Sequence, residues 1–301
     1  MGSSMLTLVT QVTAELGVPV PVSVAGNTNQ DVVQILALLN ASGYELLRKA
    51  DWQALTKTYQ ITTSYLTTTG TWGTSSGVVT AIPSTATLDT TYLMIGTGFN
   101  VGTYVSSVDS ATQVTASQVP TQAGTAATLY FQKVKYALPS DYVSLVPRTQ
   151  WDKSKHWEML GPETAQQWEW IQSGYISTGP RVRWRIFGGY FQIWPGFSNA
   201  EVLGYEYRSN AWANSAAGAA KTSLTVDTDT CIYPDRLMVL STKLKYMESK
   251  GFDTTAIYRD YMTELETSIA QDTSAPNLSF APRPGDVLIG WDNIPDSGYG
   301  G

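Results

Sequence analysis

Gly77-Val78-Val79-Thr80, Tyr92-Leu93-Met94-Ile95 and Thr103-Tyr104-Val105 are three runs within one stretch, residues 58–132, whose composition sets it apart from the rest of the chain. Its 75 residues hold no Lys, Arg or Glu and only two Asp, Asp89 and Asp109, so 42 of the 44 charged residues fall in the other 226. Ser and Thr dominate, and β-branched or aromatic runs alternate with Gly, Pro and Asp. A branched Cβ loses rotamer freedom inside a helix but fits a pleated surface. Short runs at roughly ten-residue spacing between turn residues predict an all-β module, a small sandwich or barrel, inserted into a more ordinary body. A disordered tract is the weaker alternative, because disorder goes with high charge and few aromatic residues.

Outside this stretch the apolar period becomes helical. Met5, Leu8, Val9, Val12 and Leu16 share one helical face, with Ser3 or Ser4 as cap and Gly17 as stop. Thr28-x-x-Asp31 opens a second helix carrying Val32, Ile35, Leu36, Leu39, Leu46 and Leu47. A short third helix is expected from Pro162 to Gly174. Arg181-Val182-Arg183-Trp184-Arg185-Ile186-Phe187 alternates polar and apolar, Gly188-Gly189 supplies positive φ, residues 190–194 return, and residues 201–208 continue as a third strand. Two more helices follow, one from Pro234-Asp235 to Gly251 and one capped by Asp253, joined tightly enough to form an antiparallel pair. The prolines and glycines after Asp272 exclude regular structure, yet Phe280, Leu288, Trp291 and Ile294 suit an arm that docks on a neighbouring surface.

The expected fold class is thus α+β: a mainly α-helical bundle body (residues 1–57 and 133–271) with a small β-hairpin sheet at 181–208, the inserted module at 58–132, and an extended arm at 272–301. No segment reaches the roughly 20 apolar residues of a membrane-spanning helix, and the first ten residues lack the charged region of a secretory signal.

One His, His156, and one Cys, Cys231, rule out single-chain zinc sites of several His or Cys ligands as well as disulfide frameworks. A Ser-His-Asp or Cys-His mechanism would have to run through His156 alone. The net charge of −6 argues against gripping phosphate backbones, though it allows nucleic acid to pass. Asp227-Thr228-Asp229 offers two oxygen ligands for a divalent ion, the one route to a metal-dependent hydrolase, but lacks the Gly and Glu of a calcium loop; a polar turn before the next helix is the plainer reading. No catalytic residue, metal or cofactor is assigned. Arg181, Arg183 and Arg185 lie on one strand face, where they could line a channel, meet a partner's carboxylates, or form the wet face of a hairpin. Trp151, Trp157, Trp168, Trp170, Trp184, Trp194 and Trp212 suit sugar platforms, core positions or interface anchors, with Trp168 and Trp170 the candidates for partner contact.

Several strings share an order that resembles a known family. They are Leu6-Thr7-Leu8-Val9, Ala14-Glu15-Leu16-Gly17, Leu38-Leu39-Asn40, Asp51-Trp52-Gln53-Ala54-Leu55, Ala137-Leu138-Pro139-Ser140-Asp141-Tyr142, Leu160-Gly161-Pro162, Gln166-Gln167-Trp168, residues 205–212 and Lys250-Gly251. Together, over residues 1–57 and 133–272, they resemble the head-to-tail adaptor (connector) family of short-tailed phages. The resemblance implies a non-enzymatic virion protein that forms a ring, usually twelvefold, beneath the portal protein. Such a ring extends the DNA channel, lets double-stranded DNA pass without specific binding, and docks a tail nozzle or tail tube protein. The module at 58–132 departs from that pattern. The rival expectation is a tail- or fibre-associated carbohydrate-binding protein that uses the module and Trp residues such as Trp72 or Trp194.

Overall fold

A computed structural model of the chain describes residues 2–173 and 181–273. The chain opens with α1 (Met5–Leu16) and α2 (Gln30–Lys49). Ser4 caps α1 by accepting from the Thr7 amide, and Gly17 ends it at φ 70°. Asn29 rather than Thr28 caps α2, accepting from the Asp31 amide.

A short turn at Gln53–Leu55 leads into β1 (Thr56–Thr62). The charge-free stretch then supplies β2 (Tyr65–Trp72), β3 (Val78–Thr80), β4 (Tyr92–Ile95), β5 (Val105–Ser110), β6 (Gln113–Ala116) and β7 (Gly124–Lys133). These six pair antiparallel in the order β4-β7-β2-β3-β6-β5. The sheet curls until its edges meet, because Leu93 bridges Tyr104 just before β5 and the Met94 amide donates to the Thr103 carbonyl at 2.8 Å. Trp72, Val79, Ile82, Met94, Val114, Leu129 and Phe131 fill the inside. A methyl added at Gly124 would stand 2.4 Å from the Trp72 indole, so glycine there lets β7 close over the ring. β1, although it begins within two residues of this stretch, belongs to a different sheet.

Next come β8 (Lys135–Ala137), β9 (Tyr142–Leu145), β10 (Trp151–Asp152), β11 (Trp157–Glu158), α3 (Ala165–Gln172), β12 (Arg183–Phe187), β13 (Tyr190–Trp194) and β14 (Val202–Ser209). A five-stranded sheet runs β1-β14-β10-β11 with β9 also on β14, and a three-stranded sheet runs β12-β13-β8. Their shared core is aromatic: Trp184 stacks on Phe191 at 5.5 Å, and Phe191 on Tyr205 at 4.8 Å, so a row of rings ties β12, β13 and β14 together. The expected third hairpin strand therefore does not extend that hairpin. β13 pairs with β8, and β14 pairs with β1, β9 and β10.

The chain finishes with β15 (Ala213–Asn214), β16 (Ala220–Lys221), β17 (Thr230–Cys231), α4 (Asp235–Lys250) and α5 (Thr255–Thr273). α1, α2, α4 and α5 bury Leu8, Ile35, Leu39, Leu237, Leu240 and Leu265 together with Trp212 and Tyr233, which flank the small β16-β15-β17 sheet. Gly251 stops α4 at φ 74°. The first residue of the expected arm, Asp272, lies in α5 and accepts from the Gln53 and Ala54 amides.

The expectation of a mainly helical bundle body is corrected by this arrangement. The described chain has five helices but 30% strand in several antiparallel sheets, and the helices are not a main bundle body. Between residues 133 and 231 most regular structure is strand, often only two residues long and aromatic, packed around a core of its own. Strands of that length carry no measurable alternation, whereas the 3.6-residue stripes on either side stand out.

Candidate functional site

Arg183 and Arg185 share the face of β12 on which α3 packs. The capping box of α3 starts the helix sharply, with the Thr164 hydroxyl accepting from the Gln167 amide and the Gln167 side chain accepting from the Thr164 amide. Glu163, just before it, sits 2.6 Å from Arg183 Nη1 with its carboxylate almost fully buried. Trp168, buried on the inner side of α3, lies beneath the Arg185 guanidinium, whose carbon is 4.4 Å from the ring centroid and 4.7 Å from that of Phe187. Arg185 Nε donates to Gln192 Oε1 at 3.0 Å. Both arginines are thus held inside the subunit, by an ion pair and by cation–π stacking. Arg181 is half-buried in the segment before β12.

A second cation joins this cluster. Lys135 Nζ is 4.4 Å from the Tyr104 ring centroid, and burial, followed by the neighbouring Arg185 charge, lowers its pKa. The Tyr104 hydroxyl accepts from Gln172 Nε2 at 2.7 Å. Tyr104 comes from the segment just before β5, Gln172 from α3 and Lys135 from β8, so the inserted module meets the body at this point. Sequence reading missed Lys135, Tyr104, Glu163 and Gln192, since nothing local marks residues that meet only in three dimensions.

Beside the cluster lies an aromatic ledge. Its rings, Phe187 and Tyr190, pair across the hairpin and are 61% and 38% exposed; Trp170, 46% exposed, lies about 200° around α3 from Trp168, on the outer side of the helix. Phe187 and Tyr190 flank the hairpin tip, where Gly188 and Gly189 adopt φ 60° and 79°, the two positive angles that a type I′ turn requires. Exposed rings next to stacked cations make a contact surface, and the cluster contains no nucleophile paired with a general base.

Other candidates fall elsewhere. Trp168, Trp184, Trp194 and Trp212 are buried, as is Trp72, whose indole N–H donates to the Gln122 carbonyl at 3.0 Å; Trp151 is half-buried and Trp157 exposed. Trp72 and Trp194 are therefore core residues, not platforms open to a sugar. Asp227 accepts from the Val24 and Ala25 amides at 3.0 and 2.8 Å, and the buried Asp229 from Lys221 and from the Thr225 and Val226 amides. Among the described residues no three His, Cys, Asp or Glu side chains gather as a metal site. Burial pushes the Cys231 thiol up to about 12, which keeps it protonated. Phe280, Leu288, Trp291 and Ile294 lie outside the described residues. No protein-family model matches the chain, and no curated protein matches it.

Proposed function

We propose that the chain is a subunit of a head-to-tail adaptor ring, a non-enzymatic virion protein at the head–tail connector that is made in the host cytoplasm. On this reading twelve copies assemble below the portal protein, continue the DNA channel for genome ejection, and present a docking surface to a tail nozzle or tail tube protein. The observation that carries it is the ledge of Phe187 and Tyr190 beside a locked Arg185, together with the exposed Trp170 on α3, large rings left in solvent. Interfaces are anchored by such aromatic and arginine residues, and a closed ring needs one sticky face per subunit boundary. The ordered strings at residues 1–57 and 133–272 and the net charge of −6, which suits a lumen that DNA must leave, support the same reading. Native mass spectrometry of the full chain, alone and with portal rings, tests it. Rings, alone or on the portal, are the expected result; a chain that stays monomeric in both settings overturns the proposal.

A further inference from the structure

The opposite face of the five-stranded sheet carries a cleft. Leu203, Tyr205 and Tyr207 turn into the aromatic core, so the alternating residues of β14, Gly204 and Glu206, lie on the other side. There an open cleft of about 610 Å³ is lined by Arg148, Trp151, Lys153, His156, Gly204 and Glu206 among others.

Four features mark it as built for a ligand. Among the described residues, Arg148, Lys153 and His156 have no side-chain hydrogen bond or ion pair, although most other lysines and arginines of the chain are engaged. Arg148 and His156 adopt φ 63° and 58°, left-handed conformations that L side chains rarely take, and the Thr149 hydroxyl fixes the segment between them by accepting from the Glu206 amide at 3.0 Å. Lys153 crosses the floor: a methyl added at Gly204 would lie 2.5 Å from its Cε and 3.1 Å from its Nζ. The half-buried Trp151 supplies an aromatic wall, and Glu206 an acceptor. Asp152, at the back, accepts from the Ser154 and Lys155 amides at 3.0 and 3.1 Å, and burial raises its pKa; the neighbouring Glu201 is held by Lys155 Nζ at 2.9 Å.

We propose that this cleft binds an acidic sugar, a carboxylated hexose. Its carboxylate is taken by the Arg148 guanidinium and the Lys153 ammonium, its ring lies on Trp151, and its hydroxyls donate to Glu206. An inorganic oxyanion uses neither the ring nor Glu206, and a neutral sugar leaves the cations unpaired. The proposal does not depend on the adaptor reading, since a ring subunit or an isolated one would bind in the same way.

Calorimetric titration of the full chain with tetragalacturonate, with uncharged cellotetraose and with inorganic phosphate tests the site. Tetragalacturonate should bind, and bind about ten-fold or more weakly to Arg148→Gly and Lys153→Ala than to the parent. The Arg259→Ala control on α5 should bind like the parent. Glycine suits φ 63°, so Arg148→Gly removes the guanidinium without straining the loop, and its melting temperature should not fall. If that variant does melt lower, Lys153→Ala decides. Failure of tetragalacturonate to bind, equal affinity for phosphate or cellotetraose, or binding indifferent to both substitutions overturns the assignment.

Discussion

Gly43, in the middle of α2, faces the Trp212 indole so closely that a methyl group built on it would stand 2.4 Å from Cζ2 of the ring. Trp212 is fully buried, meets Tyr44 edge-on at 6.1 Å and stacks on Tyr233 at 6.2 Å, so it has nowhere to retreat. Alanine is the better helix former by about 1 kcal/mol, but the clash outweighs that gain. Gly43→Ala should lower unfolding free energy by about 1–3 kcal/mol in urea titrations. A variant as stable as the parent would show that α2 does not sit against this ring.

This contact illustrates what was legible in the sequence and what was not. The stripe of Met5, Leu8, Val9 and Val12 and the stops at Gly17 and Gly251 are local signals, and α1 and α4 fall where those signals put them. Gly43 carries no signal at all, because its reason lies in a tryptophan 169 residues further along the chain. The alternation of Arg183 and Arg185 shows a strand but not that Glu163 and Trp168 hold the guanidinium groups. The cleft draws on β1, the segment between β9 and β11, and β14, which only sheet pairing brings together. Helical stripes stand out against strands for a further reason: two-residue strands such as Trp151–Asp152 are defined by their partners, not by their own pattern.

Asp141 is a hub between the expected body segments. Its carboxylate accepts from Lys57 Nζ at 2.7 Å, the Tyr207 hydroxyl at 2.8 Å and the Ser209 hydroxyl at 2.6 Å. Burial acts to raise its pKa, but these donors outweigh it and bring the group from 3.8 to about 2. A depressed acid stabilises the fold above its unfolded pKa and loses that contribution as pH falls through the folded value. Stability should therefore decline between pH 4 and pH 2 by about 1–2 kcal/mol more in the parent than in Asp141→Asn, after allowance for solvent screening. Parallel acid-unfolding curves for the two proteins would exclude the hub.

The ledge makes a prediction that separates assembly from folding. Phe187, Tyr190 and Trp170 are exposed, so replacing all three with Ser leaves the cores intact and should shift the melting temperature by no more than about 2–4 °C, the equivalent of about 1 kcal/mol for a chain of this size. The midpoint concentration for ring formation, read by native mass spectrometry, should rise at least about ten-fold, as expected when interface anchors are lost. Assemblies that form normally without these three aromatic side chains would place the subunit contact elsewhere.

Asp229 and Asp227 differ in burial although only one residue separates them. Asp229 is almost wholly buried; burial opposes its ionisation, but Lys221 and the Thr225 and Val226 amides hold its pKa below the usual carboxylate range. Substituting Asn leaves Lys221 without its counter-charge and gives the two amides a weaker acceptor, a loss of about 2–3 kcal/mol. Asp227 is half-buried and ties the 23–25 turn to the segment before β17, so Asp227→Ala should cost about 1 kcal/mol, the scale of a capping interaction. Because N–H, hydroxyl and ammonium donors already occupy Asp227 and Oδ2 of Asp229, millimolar calcium should leave the melting temperature unchanged in the parent and in both variants. A calcium-dependent rise that disappears in Asp229→Asn would mean that the pair releases its donors to a cation, and the turn would then have to be read as a metal site.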